Sequence, residues 1–280
     1  MNSNNAPLPK VAAIHDISGY GRCALTVIIP TLSAMGVQVC PVPTAVLSSH
    51  TGGFDGYTFL DLTEEMTPYA NHWKSMNLSF DCIYSGFLGN AEQIRHVSDF
   101  IDNFSSSSPL IAVDPVMGDN GDIYKTYNDE LCEGMKKLVR KADLITPNVT
   151  EAAYLTATDY KAEFTLPEAY EMLKKLSEYG CKKIVITGII CKNTVSSVYY
   201  DNGKTGVITN SYIDKNYPGT GDIFSSCLIG KILSGESLEN ATAFTSDFVL
   251  MLIKESSRFE YPEREGVLLE KYLYRLIEKG

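Results

Sequence analysis

The sequence predicts an α/β fold with a mainly parallel central sheet flanked by helices, a small antiparallel edge, and a flap or lid over one end of the strands. Three patterns indicate this fold. Short apolar runs alternate with segments of helical spacing, glycine-bearing loops follow several of these runs, and the tripeptide Asp201-Asn202-Gly203 separates two more apolar runs. Strands that alternate with helices are joined by right-handed crossovers, which make neighbouring strands parallel.

The first half of the chain repeats a strand, a turn and a helix. Val11–His15 is a short apolar run that stops at the glycine turn 18–21, and helical spacing follows from Arg22 to Met35, where Gly36 ends the helix. The next predicted elements are strands over 37–42, 80–86 and 110–115 and a helix over 91–104. The segment 44–58 is long, polar and rich in small residues, which predicts the flap.

The second half continues the alternation and adds a hairpin. Strands are predicted over 143–145 and 182–188, and helices over 128–141 and 166–179. The runs 196–200 and 204–209 flank the Asp-Asn-Gly turn, a strong hairpin signal. Long helices are predicted after Pro218, Leu238 and Glu265. No repeat or linker interrupts the chain, so we expect one domain over residues 1–280, with residues 1–9 flexible.

Composition excludes several classes of partner. The 34 acidic residues exceed the 24 basic ones, which gives a net charge of −10, so neither nucleic acid nor an anionic membrane surface is expected as a partner. The seven cysteines form no CxxC pair and their number is odd, which is typical of reduced intracellular thiols. Neither a signal segment nor a run of about 18 apolar residues is found. We therefore expect a cytoplasmic protein.

The strongest motif is the segment 217–226, YPGTGDIFSS, which opens a predicted helix. Gly219 and Gly221 let the backbone come close to a ligand, and the helix start offers free N–H groups and a positive dipole end to an anion such as phosphate. A carboxylate at Asp222 would repel that anion unless its role is to accept a proton, which fits a general base facing a hydroxyl group. The alternative is an ordinary aspartate at a helix start.

Two further motifs follow predicted strands. The segment 146–151, TPNVTE, places Asn148 and Glu151 at a helix start, where a capping box is the simpler interpretation. The segment 114–119, DPVMGD, begins a glycine-containing loop. Because ligands bind at the carboxyl ends of parallel strands, we expect Asp114, Glu151 and Asp222 to converge there. Carboxylates with substrate phosphates are natural ligands of Mg²⁺.

Together, GTGD at 219–222, TPNxxE, DPVMGD and SSHTGGF at 48–54 resemble the pyridoxal kinases of the ribokinase-like superfamily. The likeness extends from Val11 to Ile253. It implies a three-layer ribokinase-like sandwich, a homodimer, ATP and Mg²⁺ as cofactors, and leaves a monovalent cation open. It further implies ATP-dependent phosphorylation of the 5′-hydroxymethyl group of pyridoxal, pyridoxamine or pyridoxine.

The resemblance also implies roles for individual residues. Asp222 would be the base, and the backbone of Gly219, Thr220 and Gly221 would stabilise the transferring phosphoryl group. The metal would be held by Glu151 and Asp119. The residues implied to contact ATP are Asp114, Thr146, Asn148, Glu151, Thr187, Gly188 and Thr220. The residues implied to contact the vitamin are Asp16, His50, Thr51, Phe87 and Tyr124, the last as part of a lid.

The substrate side departs from the family in two places. Asp16 stands where vitamin B6 kinases commonly have serine, and Phe87 where they often have tyrosine. For His50, a bond to the flap backbone is the alternative to a ring contact.

Three other functions remain open at this stage. One is a hydroxymethylpyrimidine kinase of the same superfamily, in which cysteine usually replaces Asp222. Another is a sugar or nucleoside kinase, which usually lacks the DPVMG and TPNxxE pairing. The third is a non-catalytic protein that binds vitamin B6.

Overall fold

A nine-stranded mixed sheet forms the centre of the protein in the computed structural model, which describes residues 8–124 and 127–277. The strands along the chain are β1 (Lys10–Ser18), β2 (Gln38–Leu47), β3 (Phe59–Asp61), β4 (Cys82–Ser85), β5 (Leu110–Val113), β6 (Gly118–Asp119), β7 (Asp122–Ile123), β8 (Leu144–Ile145), β9 (Lys183–Cys191), β10 (Thr194–Asp201) and β11 (Lys204–Ser211). The sheet has the order β11-β10-β9-β8-β5-β4-β1-β2-β3, and β6 pairs with β7 separately. The prediction that residues 1–9 are flexible falls almost entirely outside the described residues.

The body of the sheet is parallel and its edges are antiparallel. The pairs from β2 through β1, β4, β5 and β8 to β9 are all parallel. At one edge, β9, β10 and β11 pair antiparallel, and Asn202 and Gly203 form the turn at φ of 49° and 93°. At the other edge, β3 pairs antiparallel with β2. The predicted parallel sheet and its antiparallel hairpin are confirmed, and β3 adds a second antiparallel edge.

The helices cover the two faces of the sheet. They are α1 (Leu25–Ala34), α2 (Thr63–Ser75), α3 (Ala91–Phe104), α4 (Asp129–Val139), α5 (Val149–Leu155), α6 (Leu166–Ser177), α7 (Thr220–Leu233) and α8 (Leu238–Ser256). Successive side chains of a strand point to opposite faces. Accordingly Val11 and Ala13 of β1 pack in the core cluster of α1, α7 and α8, whereas Ala12 and Ile14 pack in the larger cluster of α2 to α6. These three layers place every strand of the parallel body between apolar surfaces.

The extent of one predicted strand, and with it the flap, was wrong, and one predicted helix was wrong. The second strand does not end at residue 42, because Val46 and Leu47 still pair with β1 and residues 45–47 pair with β3. The flap is therefore residues 48–58 and not 44–58. The long helix predicted after Glu265 is absent from the described residues, where only short 3-10 turns occur at Glu263–Glu265, Leu269–Lys271 and Leu273–Arg275.

The packing of the C-terminal segment explains why no α-helix forms there. Val267 and Leu269 are two residues apart, yet both are buried in a third core cluster with Val27 and Ile223. Between them, the Leu268 backbone N–H donates to Ser256 Oγ at 2.9 Å and not to the carbonyl four residues earlier, as it would in an α-helix.

In the described part of the chain, no helix is long and apolar enough to cross a bilayer.

An aromatic cluster under α3 offers a test of the core. Phe104 is 3% exposed, and its ring lies 4.5 Å from that of Phe100 and 5.2 Å from that of Phe80. We expect Phe104→Ala to lower the free energy of unfolding by about 3–5 kcal/mol, since it removes a buried ring and leaves a cavity. Urea denaturation measures the loss. Phe59→Ala, at a ring 43% exposed on β3, should cost less than about 1 kcal/mol. Equal losses would contradict this assignment of the core.

Candidate active site

The motif residues collect at one edge of the sheet, where parallel strands end and three helices begin. Asp16 lies near the end of β1, Asp114 directly follows β5, and Thr146 directly follows β8. The N-termini of α1, α5 and α7 lie at the same edge. This edge is where open α/β sheets bind ligands.

The start of α7 is an uncapped helix N-terminus. Gly219 occupies the N-cap position at φ +81°, and no side chain caps the helix. A Cβ atom at Gly219 would lie 1.9 Å from the carbonyl oxygen of Arg22, so the loop approaches the turn after β1 as closely as only glycine permits. A Cβ atom at Gly221 would meet nothing within 4 Å, so the next turn faces open space. The first N–H groups of α7 are therefore available to an anion.

The carboxylate of Asp222 is fixed beside these N–H groups. Its Oδ2 accepts the backbone N–H of Ala24 at 2.8 Å. Ala24 is the N-cap of α1 and has φ of 49°, a left-handed conformation that a residue with a Cβ rarely adopts. Burial, and to a lesser extent the charge of Asp16, raises the pKa of Asp222 to about 7, against the opposing hydrogen bond from Ala24. A carboxyl group with this pKa can accept a proton near neutral pH.

Asp114 is joined to α7 by a chain of hydroxyl groups. The hydroxyl of Ser225 donates to Asp114 Oδ2 at 3.2 Å and lies 2.8 Å from the hydroxyl of Thr146. Since the Ser225 proton is given to Asp114, the Thr146 hydroxyl is the donor of the second bond. Burial and the nearby charge of Asp222 raise the pKa of Asp114 to about 8, although the Ser225 bond opposes the shift.

Glu151 and Asn148 form the capping box that was the simpler alternative for this motif. The Glu151 backbone N–H donates to Asn148 Oδ1 at 2.9 Å, and the Asn148 N–H donates to Glu151 Oε2 at 2.8 Å. The same pair also holds the 114–119 loop, because Met117 N–H donates to Glu151 Oε1 and Asn148 Nδ2 donates to the Gly118 carbonyl. Burial, and then the charge of Asp114, raises the pKa of Glu151. The two motifs are thus one structural unit.

The phenol of Tyr124 lies near several of these acids. Burial and then four carboxylates raise the pKa of its phenol, those of Glu151, Asp119, Asp222 and Asp114. The hydrogen bonds of Ser225 to Asp114 and of Met117 to Glu151 bring Asp114, Glu151 and the helix that carries Asp222 together, as predicted. Tyr124 itself is 40% exposed and follows the β6–β7 hairpin.

The acids do not form a cage for a metal ion. Within residues 8–124 and 127–277, no three Asp, Glu, His or Cys side chains are placed to hold one. Asp119 lies in the exposed β6–β7 hairpin, where its carboxylate accepts the N–H groups of Asn120. Mg²⁺ typically uses one or two carboxylates together with water and substrate phosphates. This donor set fits such a shared site and does not fit a structural metal.

Thr187 and Gly188 lie beside the capping box. Thr187 N–H donates to the Pro147 carbonyl at 3.0 Å, and Thr187 bridges to Asn148 in parallel fashion. Gly188 has φ of +75°, and both residues are half-buried. The residues that the resemblance gave to ATP therefore share one end of the sheet.

Of the residues predicted to contact the vitamin, Asp16, Phe87 and the flap lie toward the β1 and β2 end of this edge, whereas Tyr124 lies near Glu151. Asp16 is buried and accepts the Ser18 hydroxyl at 2.8 Å, and burial raises its pKa. Phe87 is half-buried with its ring 6.4 Å from that of Tyr127. Thr51 is exposed in the flap. The charge of Asp16 raises the pKa of Asp222, so two neighbouring acids face the predicted acceptor space.

His50 makes the flap bonds that were the alternative to a ring contact. Its Nδ1 accepts the Gly52 backbone N–H at 3.0 Å, so its Nε2 carries the proton and donates to the Arg264 carbonyl at 2.7 Å. Both ring nitrogens are therefore engaged by the protein. Burial lowers the pKa of His50, which favours this neutral form.

Several residues of the site gave no recognisable signal in the sequence. Ser225 lies within the 217–226 motif, but nothing in the motif indicates that its hydroxyl joins Asp114 to Thr146. Ala24 contributes a backbone N–H, which any residue has. Arg264, in the C-terminal segment, contacts the flap across 211 positions of the chain. Contacts of this kind are set by tertiary structure and have no local motif.

Known proteins of two kinds resemble the chain. Residues 28–265 match the phosphomethylpyrimidine kinase family. A candidate phosphomethylpyrimidine kinase from Bacteroides thetaiotaomicron, in a crystal form with pyridoxal, is 44% identical with a TM-score of 0.92 over 96% of each chain. Pyridoxal kinase from Lactobacillus plantarum is 27% identical with a TM-score of 0.88, over 96% of this chain and 97% of its own.

A Bacillus subtilis hydroxymethylpyrimidine/phosphomethylpyrimidine kinase is 27% identical over 86% of this chain and 87% of its own. These similarities confirm the ribokinase-like fold and the resemblance to pyridoxal kinases that the motifs indicated.

The raised pKa of Asp114 predicts a pH-dependent gain in stability when the charge is removed. In the unfolded chain this carboxyl ionises near pH 4, whereas in the fold it stays protonated up to about pH 8. Folding therefore takes up a proton in this window, and the contribution of Asp114 to stability worsens as the pH rises from 4 to 8. We expect Asp114→Asn to raise Tm relative to wild type by about 3 °C or more at pH 8 and by less at pH 5, as measured by scanning calorimetry.

Asp99→Asn is the matched control, because Asp99 is an exposed acid on α3 away from the site. Its effect on Tm should be small at both pH values. An Asp114→Asn effect that does not grow with pH would contradict the buried, protonated state of this carboxyl group.

Proposed function

The chain belongs to the phosphomethylpyrimidine kinase family, and we propose that it uses ATP to phosphorylate the 5′-hydroxymethyl group of pyridoxal, pyridoxamine or pyridoxine. The coarser statement, a kinase of the pyridoxal or hydroxymethylpyrimidine type, rests on relatives of both kinds. The finer one, a vitamin B6 substrate, rests on the observations below.

One observation carries the kinase proposal. A carboxylate with a pKa near 7 lies in the first turn of a helix whose N-terminal N–H groups no side chain caps. An anion site beside a proton acceptor suits transfer of a phosphoryl group to a hydroxyl. A protein that only binds the vitamin has no use for the base.

In the proposed reaction, Asp222 accepts the proton of the hydroxymethyl group. The freed oxygen forms a bond to the γ-phosphorus as the bond from that phosphorus to the β-phosphate oxygen breaks, and ADP leaves. The backbone N–H groups of Gly219, Thr220 and Gly221 stabilise the charge on the transferring group through the helix dipole. Positioning by these groups supplies most of the acceleration, because phosphoryl transfer needs little covalent chemistry from the protein.

The other acids serve the ATP side in this proposal. Asp114, Thr146 and Asn148 border the phosphates, with Thr187 and Gly188 further along the nucleotide. Mg²⁺ would be held by Glu151 and Asp119 and would neutralise phosphate charge when bound. Glu151 is buried and accepts two backbone N–H groups, so in this proposal it contacts Mg²⁺ through a water molecule.

The acceptor side supports vitamin B6 over the pyrimidine. The Bacteroides relative, at 44% identity, crystallised with pyridoxal. The base position holds Asp222, whereas hydroxymethylpyrimidine kinases usually carry cysteine there. Asp16, Thr51, Phe87 and the lid residue Tyr124 would meet the ring. Asp16 accepts hydrogen bonds when ionised, and both rings present a proton donor, so this residue does not separate the two substrates.

Hydroxymethylpyrimidine phosphorylation is the second candidate function. It is favoured by the family match and by the Bacillus subtilis relative. The homodimer, the monovalent cation and the cytoplasmic location stay predictions.

The substrate is tested with a panel of acceptors. We expect ATP turnover with pyridoxal, pyridoxine and pyridoxamine at a kcat/KM at least about tenfold above that with hydroxymethylpyrimidine, the order of difference that a few pocket contacts produce. A coupled assay for ADP measures turnover, and mass spectrometry identifies the phosphorylated product. Preference for the pyrimidine would establish the second candidate, and no turnover with any acceptor would leave a binding protein.

The base assignment predicts the effect of one substitution. Asp222→Asn keeps an acceptor oxygen for the Ala24 N–H but cannot take up a proton, so we expect kcat to fall roughly 10² to 10⁴-fold. ATP affinity by calorimetry should change little, because the backbone anion site remains. Asp214→Asn, at an exposed acid before the same loop, is the control and should keep its turnover. Near-normal turnover in Asp222→Asn would defeat the assignment.

A further inference from the structure

Among the residues that the structure describes, Arg264 joins the flap to the C-terminal segment, residues 261–270. Arg264 contacts three flap positions. Its carbonyl accepts the His50 Nε2–H at 2.7 Å, its Nη1 donates to the Gly53 carbonyl at 3.2 Å, and its guanidinium lies 4.9 Å from the centre of the Phe54 ring. The Phe54 ring also meets the His50 ring edge-on at 4.9 Å, so the contacts form one cluster.

The C-terminal segment is itself anchored to the body of the protein. Val267 and Leu269 are buried in the core beside α1 and α7. Arg22 binds the segment twice, through its backbone N–H and its Nη1 to the Glu265 carbonyl and through its Nε to the Glu270 carboxylate. The segment is therefore a fixed support, whereas most of the flap is exposed loop.

The C-terminal segment also contacts the loop before α7, residues 216–219. The Asn216 backbone N–H donates to Glu263 Oε2 at 3.1 Å, and a Cβ atom at Gly266 would lie 3.1 Å from the Pro218 carbonyl and 2.8 Å from Arg22 Cβ. Across the gap, a Cβ atom at Gly21 would lie 2.2 Å from His50 Cδ2. The C-terminal segment thus contacts the flap, the turn after β1 and the loop before α7, and fixes their relative positions.

We propose that Arg264 is a positioning residue that fixes the flap over the acceptor side of the site and thereby sets the affinity for the acceptor and not for ATP. This inference rests on the proposed function. The flap carries His50 and Thr51 at the acceptor end, and its anchoring contacts lie on that end. A flap already held in its binding conformation loses less conformational entropy when the acceptor binds. Loss of its support therefore weakens binding of the acceptor that it covers.

The kinetic test is Arg264→Ala, which removes the bond to Gly53 and the contact with Phe54 but keeps the backbone carbonyl. We expect KM for the acceptor to rise about tenfold, with KM for ATP within about twofold of wild type. Arg264→Lys, which keeps a cation near the ring, should recover part of the loss. Arg258→Ala is the control, because Arg258 pairs with Glu255 at 2.6 Å and touches no flap residue in the described contacts.

A structural readout separates failure of this inference from failure of the proposed function. Hydrogen exchange of the amides of residues 48–58 should be faster in Arg264→Ala than in wild type, with an unchanged Tm. Unchanged exchange overturns the support of the flap whatever the enzyme phosphorylates. Faster exchange with an unchanged acceptor KM, or an equal rise of both KM values, overturns the selective effect on the acceptor. A wild-type protein inactive with every acceptor would contradict the proposed function, while the exchange result would still decide whether Arg264 holds the flap.

Discussion

The hydrogen bond from the Ala24 backbone N–H to Asp222 is the contact on which the geometry of the candidate site depends. It joins the starts of α1 and α7, two helices on the same face of the sheet. For the bond to form, Ala24 adopts a left-handed backbone conformation and Gly219 lies against the Arg22 carbonyl. Strain of this kind persists only where surrounding structure over-determines it, and here the buried faces of both helices provide that structure.

Electrostatic repulsion is the cost of this arrangement. Besides burial, the charge of Asp16 raises the pKa of Asp222, that of Asp222 raises the pKa of Asp114, and that of Asp114 raises the pKa of Glu151. When neighbouring acidic side chains ionise, their like charges repel one another and destabilise the folded protein. The hydroxyl of Ser225 and the backbone N–H groups around Glu151 offset part of this repulsion. A cation or a proton donor that enters the site offsets more, so ligand binding and stability are linked.

The two sides of the site are supported by different kinds of structure. The side given to ATP is made of strand ends, a capping box and a helix start, all fixed by the sheet. The side given to the acceptor depends on an exposed flap whose support comes from the far end of the chain. Loops of this kind tolerate change more readily than strand ends do, and function depends on such sites more than on the fold.

The sequence by itself determined the α/β fold, the mainly parallel direction of its strands and the hairpin at Asn202-Gly203, because these follow from local periodicity and from the φ values that a turn requires. It also located the three acidic motifs, since two of them follow a strand and the third opens a helix after a glycine-bearing loop. Only the tertiary structure decided that residues 266–277 form no α-helix, that the second strand continues to residue 47, and that Ser225, Ala24 and Arg264 belong to the site. Each of these depends on contacts between residues far apart in the chain, where burial and hydrogen bonding outweigh local preference.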